Sequence, residues 1–264
     1  MSTIVFLGGG RITSAMLAGL RLAKSKEDFV VHDRNPGKLR ELKKRYRVRV
    51  EPDLQRAITG ASMLVIAVRP DSVVGVLRNI GKVKSATLAV SLAAGIPLRV
   101  LSKALGPPTR WARAMPSPVC RSGRGLTALI FPGNLPERDR TRIRNLFLSV
   151  GQVVEIPERK FDAFTVIYSS SHGYHALTTL ARAASEIGLD RKTALLASAH
   201  ALADGIVAWR DGKDSLESLL EEAATPGGIA ATTMAGMDAA GYGRAVRKGV
   251  RAGLLRASSL RRGA

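Results

Sequence analysis

The chain has 264 residues, is 45% hydrophobic and 5% aromatic, and carries a formal net charge of +20 at pH 7. This length allows one large domain or two ordinary ones, each with a buried core. No apolar run reaches the roughly 18 residues of a membrane-spanning helix. The start, MSTIVFLGGG, lacks the basic leader and cleavage site of a signal peptide, so we expect a cytoplasmic protein with no membrane partner.

The first predicted elements are a strand and a helix joined by glycines. IVFLGGGRITSAMLAGLRLA runs from an apolar strand through Gly8, Gly9 and Gly10 into an amphipathic helix. Glycines in this context let a backbone approach a pyrophosphate at a helix N-terminus. The spacing is G-x-G-x-x-T, because Thr13 stands where a third glycine is usual. We interpret the turn as a dinucleotide site; the alternative is a tight turn that binds nothing.

The next predicted strand, FVVHDRN, ends in Asp33, Arg34 and Asn35. This is close to the offset of about 20 residues at which such sites contact the adenosine ribose. A carboxylate there accepts hydrogen bonds from a ribose diol and repels a 2′-phosphate, whereas Arg34 and Lys38 attract that phosphate. The surrounding positive charge favours NADP(H) as the cofactor and leaves NAD(H) open.

Strands and helices continue to alternate up to residue 116. The predicted strands are VRVEPD, MLVIAVRPDSV, TLAVSLAAGI and TRWARAMP, and the helical segments are LQRAITGA, VVGVLRNIGKV and LRVLSKALG. This pattern predicts an α/β domain with a doubly wound, largely parallel sheet that is covered on both faces. Ligands of such sheets bind beyond the carboxyl ends of the strands, where loops 67–70, 91–95 and 114–118 are expected. Their Pro and Gly residues are consistent with turns that pack against a cofactor, and equally with ordinary loop turns.

Cysteine and histidine usage argues against disulfide and metal chemistry. Cys120 is the only cysteine, and the four histidines form no recognised metal-binding pattern. We therefore expect a reduced, structural thiol and no metal site.

After GQVVEIPERKF the sequence is helical throughout. The predicted helices are KFDAFTVIY, GYHALTTLARAASEIGL, DRKTALLASAHALADGIVAWRDG, SLESLLEEA, IAATTMAGMDAAG and YGRAVRKGVRAGLLRASSL. Asp190 is a predicted N-cap, and the helix that it opens is apolar on more than one face. Such a helix is usually buried, which predicts a homodimer or higher homo-oligomer. The predicted domains are residues 1–156, which bind the dinucleotide, and residues 157–264, an all-α dimerisation and substrate domain.

Two polar features stand out in the helical half. SSSHGYH at 169–175 crowds polar side chains at the entrance to an apolar helix, where they cost free energy unless they find partners. The turn Pro226-Gly227-Gly228 interrupts the helix pattern and exposes backbone N–H groups as the following helix starts. Such a helix start suits a carboxylate, and a simple helix–turn–helix corner is the alternative.

The positive charge is unevenly distributed. Residues 1–150 carry +18, residues 151–243 carry −5 and residues 244–264 carry +7. The basic residues are scattered over predicted helix faces, so we interpret them as solvated surface that attracts anionic ligands. Nucleic-acid binding through the basic tail, residues 244–264, is the least favoured function because few aromatic residues accompany the charge.

Taken together, these segments resemble the pyrroline-5-carboxylate reductase family along nearly the whole chain. The similar stretches are GGGRIT at 8–13, AVRP at 67–70, SLAAGI at 91–96, RAMPSP at 113–118, FDAFTVIYSSSHGY at 161–174 and EAATPGGIAA at 222–231. The order and spacing of these stretches are specific, although no single one is decisive.

That family reduces a cyclic imine carboxylate to L-proline with NADPH or NADH, using a Rossmann domain and a helical dimerisation domain. The resemblance implies an oxidoreductase of proline biosynthesis, and hence of amino-acid biosynthesis. It implies a cofactor site formed by Gly8, Gly10, Arg11 and Ile12 at the pyrophosphate, by Arg34 and Asn35 at the adenosine, and by Val68, Arg69, Pro70, Ala93, Ala94 and Ser117 towards the nicotinamide. It places the substrate carboxylate on Thr225, Gly227, Gly228, Ile229 and Ala230.

Three departures from the family pattern concern the site. Ala230 stands where the family has a threonine hydroxyl, Ser117 stands for an asparagine in a shortened loop, and SSSHGYH replaces SGSGPAY. An imine accepts hydride readily only when protonated, and a positioned acid typically contributes about 10²–10⁴-fold. Our hypothesis is that His172, with Ser171, orients or protonates the substrate. The alternative is that His172 caps the helix or bonds a carbonyl at the dimer interface.

These departures leave two other functions open. The same fold could reduce a different imine or carbonyl compound, or the chain could be a non-catalytic dinucleotide-binding protein. Residues 163–190 contain no lysine, which weighs against a hydroxyacid-type reductase that uses a helix-borne lysine as its acid.

Overall fold

The computed structural model describes residues 3–83 and 86–262, and the chain forms two compact units. One unit comprises the chain up to Tyr168 together with the chain from Gly253 onwards; the other is Ser169–Ala252. The predicted domain boundary after residue 156 lies earlier in the chain than this division. The last two residues of the basic tail, 263 and 264, lie outside the described residues.

The first unit contains one sheet. Its strands are β1 (Thr3–Leu7), β2 (Asp28–His32), β3 (Arg49–Val50), β4 (Met63–Ile66), β5 (Leu88–Ser91), β6 (Arg110–Met115), β7 (Gly125–Ile130) and β8 (Gly151–Glu155). Their order is β3-β2-β1-β4-β5-β6-β7-β8, and the only antiparallel pair among them is β6 with β7. The predicted doubly wound, largely parallel sheet is therefore confirmed.

Seven helices accompany the sheet in the described part of the first unit. They are α1 (Arg11–Leu22), α2 (Pro36–Tyr46), α3 (Leu54–Ile58), α4 (Pro70–Ile80), α5 (Leu98–Ala104), α6 (Glu137–Leu148) and α7 (Phe161–Ile167), with two 3₁₀ turns at Pro118–Ser122 and Glu158–Lys160. The second unit holds α8 (Ser170–Glu186), α9 (Arg191–Asp211), α10 (Leu216–Ala223) and α11 (Ile229–Ala239). The last helix, α12 (Tyr242–Arg262), begins in the second unit and ends in the first.

The sheet is buried on both faces because successive strand residues point to opposite sides. On β1, Ile4 and Phe6 belong to one apolar cluster, whereas Val5 and Leu7 belong to another. Strands that are buried on both faces read as continuous apolar runs, which is why the sequence pattern identified them. Among the described residues, none of the helices combines the length and the apolar content needed to cross a membrane.

The structure differs from the predicted elements in two places. The apolar run at 63–73 is not one strand, since β4 ends at Ile66 and α4 begins with Pro70 at its first position. Residues 118–150 contain a 3₁₀ turn, β7 and α6, none of which the pattern predicted. The helix α6 is strongly charged, and its buried apolar side chains, Ile143, Leu146 and Phe147, all lie in its second half.

Candidate functional site

The turn after β1 is built around Gly8. Its φ is +109°, a conformation that residues with a side chain rarely adopt, and a Cβ there would lie 2.7 Å from the carbonyl oxygen of Ala67. The Gly8 amide donates to the carbonyl oxygen of His32 at 2.8 Å. The turn is thus packed against the loop that follows β4, and glycine is required by both dihedral angle and space.

Thr13 explains the departure from a third glycine. Its side chain is fully buried, and its hydroxyl donates to the carbonyl oxygen of Gly8 at 2.5 Å. The threonine therefore satisfies a carbonyl group of the turn from inside α1. The sequence revealed the substitution, but only the structure shows this contact.

The N-terminus of α1 is open to an anion. Gly10 is its N-cap, and no side chain of the described residues caps the helix. A Cβ on Gly10 would meet nothing within 4 Å, and Arg11 beside it is exposed. Ile12 is partly buried and packs against the core below. Uncapped amides at a helix start bind phosphate oxygens well.

Asp33, the residue after β2, holds this turn through a hydrogen bond. One carboxylate oxygen accepts the Gly9 amide at 2.7 Å, and the other accepts the Asn35 amide at 2.8 Å. The side chain of Asn35 in turn caps α2 by accepting from the amides of Gly37 and Lys38 at 2.9 and 3.2 Å. Both residues therefore fix the backbone, whereas the neighbouring Arg34 is exposed.

The loops expected to frame a nicotinamide meet at one edge of the sheet. Val68, Arg69 and Pro70 follow β4, Ala93 and Ala94 follow β5, and Ser117 follows β6. Because β1, β4, β5 and β6 are parallel neighbours, these loops lie at the same edge as the Gly8 turn. Arg69 is exposed, and Ser117 is buried with its hydroxyl accepting the Val119 amide at 3.2 Å.

A buried arginine that sequence reasoning missed lies below this edge. Arg113 on β6 is 2% exposed and contacts Ala93, Glu158 and Phe161. Its position in RAMPSP is visible in the sequence, but nothing there indicates its partners.

Cys120 is a free, fully buried thiol in the first unit. Burial raises the pKa of this thiol to about 12, because the thiolate would be desolvated. A thiol that stays protonated is a poor nucleophile, which agrees with the structural role expected for it.

In the second unit, SSSHGYH forms the first turns of α8. The helix begins at Ser170, earlier than the predicted start at Gly173, and Ser169 is its N-cap. The Ser169 hydroxyl accepts the Ser171 amide at 3.4 Å and lies 2.7 Å from the Ser171 hydroxyl. Ser169 therefore caps the helix, which was one of the alternatives for His172, and the side chains of Ser171 and His172 are exposed.

The turn before α11 presents uncapped amides. The Gly228 amide donates to the carbonyl oxygen of Thr225 at 2.9 Å, and Gly227 has a φ of +74°. Gly228 is the N-cap of α11, and no side chain of the described residues caps that helix. Ile229 and Ala230 are exposed in its first turn.

Two threonines follow Ala230 in α11, and each donates its hydroxyl to a backbone carbonyl group. Thr232 donates to the carbonyl oxygen of Gly228 at 3.0 Å, and Thr233 donates to that of Ile229 at 2.9 Å. Both hydroxyls are therefore used within α11.

The second unit buries little within one chain. Of its described residues, only Ala194 and Ser198 are buried. Its exposed large apolar side chains include Leu195, Leu196, Ile206, Val207 and Trp209 on α9, and Leu216, Leu220, Ile229, Met237 and Tyr242 beyond it. A surface this apolar indicates an interaction site.

Two family models match the chain, one in each half. A model described as NADP oxidoreductase, coenzyme F420-dependent, matches residues 3–95, and one described as pyrroline-5-carboxylate reductase dimerisation matches residues 158–260. The pyrroline-5-carboxylate reductase of Synechocystis is 28% identical over 258 residues, which cover 96% of each chain. That of Mycobacterium tuberculosis is 29% identical over an alignment of 288 positions, covering 99% of this chain and 97% of its own.

Solved structures show the same fold over the whole chain. The crystal structure of Plasmodium falciparum pyrroline carboxylate reductase with NADP bound has a TM-score of 0.88 at 21% identity, with 98% of each chain covered. The pyrroline-5-carboxylate reductase of Coxiella burnetii gives the same TM-score and coverage at 23% identity.

Proposed function

The chain belongs to the pyrroline-5-carboxylate reductase family, and from that premise we propose that it reduces pyrroline-5-carboxylate to L-proline, a step of proline biosynthesis. It is an NAD(P)-dependent oxidoreductase that acts on a C=N bond. The use of a dinucleotide cofactor is supported by the Gly8 turn, which packs closely against Ala67 and is followed by a helix with an uncapped N-terminus.

The first unit fits a dinucleotide. A Cβ at Gly8 would collide with the loop after β4, while Gly10 faces open space in front of the α1 amides. We assign the pyrophosphate to Gly8, Gly10, Arg11 and Ile12, because amides at a helix start stabilise phosphate charge. A bound reduced nicotinamide would supply the hydride.

The remaining cofactor contacts are assigned to the other loops of the same edge. The side chains and backbone of Val68, Arg69, Pro70, Ala93, Ala94 and Ser117 would orient the nicotinamide end. Ala93 is buried and Ala94 is partly buried, so this loop offers a firm, mostly apolar support. Holding the two reactants in a fixed orientation accounts for much of the rate in such reactions.

The second unit supplies candidates for the substrate contacts. The uncapped amides of α11, with Thr225, Gly227, Gly228, Ile229 and Ala230, would bind the substrate carboxylate. Reduction of the C=N bond adds a hydride to carbon and a proton to nitrogen. We assign the proton to His172, with Ser171 orienting it, because both side chains are exposed at the start of α8.

Replacing His172 with alanine tests this assignment. We expect turnover to fall about 10²-fold, in the range of a lost general acid, and to fall far more than thermal stability or dinucleotide affinity, because the side chain is exposed. The control is His200→Ala, which removes an exposed histidine that pairs with Asp204 on α9. Unchanged turnover in His172→Ala would show that another group donates the proton.

We also propose a preference for NADP(H) over NAD(H). Each oxygen of Asp33 already accepts one backbone amide, which leaves it fewer lone pairs for a ribose diol. The exposed Arg34 provides the positive charge that a 2′-phosphate needs, and Lys38, 3.7 Å from the Asp33 carboxylate, offsets the negative charge of that residue.

Replacing Arg34 with alanine should lower kcat/KM for NADPH roughly 10- to 100-fold, the effect of one hydrogen bond to a charged group. The value for NADH should change by less than about threefold, since NADH lacks the 2′-phosphate. Arg40→Ala, an exposed arginine on α2, is the control. Equal losses with both cofactors would refute the assignment of Arg34.

The helical half is a dimerisation domain, and its exposed apolar side chains support homo-oligomers of at least two chains. We propose that the assembly is a homodimer or a higher homo-oligomer and that the protein is located in the cytoplasm. No nucleic-acid partner is proposed for the basic tail, whose exposed arginines include Arg244, Arg247 and Arg251.

The test of the function is a direct assay. The purified chain is mixed with NADPH or NADH and pyrroline-5-carboxylate, and loss of the nicotinamide absorbance and formation of proline are followed. A panel of other cyclic imines is run beside it, because Ala230 stands where the family has a hydroxyl. If the chain reduces only another imine, that imine is the substrate. If it binds the dinucleotide and turns over no imine, a non-catalytic protein is favoured.

A further inference from the structure

The interior of the first unit contains a buried arginine. Arg113 on β6 is 2% exposed, and arginine is almost never so buried unless it is paired. Its guanidinium donates to a carboxylate oxygen of Glu158 at 2.9 Å and lies 4.0 Å from the centre of the Phe161 ring. The side chain of Glu158 is 36% exposed, so the ion pair is only partly buried, and its role is indicated by the other groups that it contacts.

Both ends of one loop are attached to this ion pair. Arg113 also donates to the carbonyl oxygen of Ala93 at 3.4 Å, at the start of the loop after β5. The same oxygen of Glu158 that faces Arg113 accepts the amide of Leu98 at 2.8 Å, where α5 begins. The loop turns between these points through Gly95, which has a φ of +72°. One carboxylate and one guanidinium therefore fix where the loop begins and ends.

We propose that Arg113 is a positioning residue that acts through Ala93 and Glu158 to hold this loop against the nicotinamide end of the cofactor. The inference rests on the proposed function, because it takes the loop with Ala93 and Ala94 to contact the nicotinamide. Arg113 itself lies beneath the loop and need not touch the cofactor. Its planar fork can serve the carboxylate and the carbonyl group at once, whereas the single ammonium group of a lysine has no such fixed geometry.

The decisive variant is Arg113→Lys, which keeps the charge and loses the fork. We expect its Kd for NADPH, measured by calorimetry, to change less than about threefold, because Arg113 is not among the residues assigned to the pyrophosphate and the adenosine. Turnover should fall about 10- to 100-fold, since a misplacement of about 1 Å can cost 10²-fold. The emission of bound NADPH, which reports the surroundings of the nicotinamide, should move towards that of the free cofactor.

The matched control is Arg110→Met, which removes an ion pair from the other end of the same strand. Arg110 lies 2.9 Å from Asp139 and contacts no loop of the cofactor edge in the described residues. We expect this variant to keep the turnover and the NADPH emission of the parent protein. If Arg113→Lys also keeps both, or if both variants lose them equally, the proposal is wrong.

Glu158→Gln covers the case in which Arg113→Lys does not fold. Glutamine keeps the shape and an acceptor for Leu98 but removes the charge that holds Arg113. We expect a smaller shift of NADPH emission in the same direction, and no shift would overturn the proposal. Because the emission needs no imine, the result stands even if pyrroline-5-carboxylate is not the substrate. A parent protein that binds NADPH and reduces no imine would instead count against the proposed function alone.

Discussion

Replacing Gly8 with alanine should weaken NADPH binding by at least about 100-fold, because the turn cannot keep its shape. The residue has a φ of +109°, and a Cβ would lie 2.7 and 2.9 Å from the carbonyl oxygen and carbon of Ala67. Forcing a residue with a side chain into such a conformation costs about 1–3 kcal/mol, and the contact must be relieved by moving backbone. Either shift displaces the carbonyl group that Thr13 holds and the amides at the start of α1.

Two other glycines make this a controlled experiment. Gly75 lies inside α4 with nothing within 4 Å of a Cβ, so Gly75→Ala should leave binding unchanged and stabilise the helix by about 0.5–1 kcal/mol. Gly10 has open space and a φ of −80°, so Gly10→Ala should fold normally and lose affinity only because the methyl group blocks the phosphate. Calorimetry with NADPH and thermal melts separate these outcomes. Unaltered affinity in Gly8→Ala would refute the site, and if that variant does not fold, Gly10→Ala decides.

Replacing Leu196 with glutamate should dissociate the homo-oligomer and abolish most of the activity. Leu196 is 58% exposed on α9 in a single chain, beside the similarly exposed Leu195. Within a homo-oligomer this face would be buried, and an unpaired charge there costs several kcal/mol. The second unit buries almost none of its side chains alone, so we expect it to lose stability together with assembly.

The control for this prediction is Leu22→Glu. Leu22 is 61% exposed at the end of α1, which makes the substitution chemically identical but places it outside the helical unit. Sedimentation should show the parent mass for Leu22→Glu and a monomer for Leu196→Glu. A Leu196→Glu protein that retains the parent mass would show that this part of α9 is not an interface.

The sequence predicted the elements whose signals are local. Continuous apolar runs identified most strands of the sheet, because strands buried on both faces need no alternation. The glycines after β1 and the strand ends that follow indicated where a dinucleotide would bind, since parallel strands bring their carboxyl ends to one edge. The apolar faces of α9 similarly predicted an interface, which the exposure of Leu195 and Leu196 in the single chain supports.

Boundaries and partners depended on contacts that the local sequence does not contain. The helix α8 begins at Ser170 because Ser169 caps it, and α6, whose first half carries mostly charged residues, was not recognised. The oxygens of Asp33 accept the amides of Gly9 and Asn35, contacts that the sequence did not predict. A local pattern cannot indicate which backbone groups a side chain will contact once the chain has folded.

By itself, then, the sequence determined the order of most strands and helices, the glycine turn and the family to which the chain is similar, because backbone preference and burial produce periodic local patterns. The tertiary structure alone decided which side chains hold those elements in register. Arg113 and Glu158 are 45 residues apart, and Thr13 is recognisable as part of the turn only once its hydroxyl meets Gly8. Such contacts form between elements after they pack, because a polar group that is buried without a partner costs free energy.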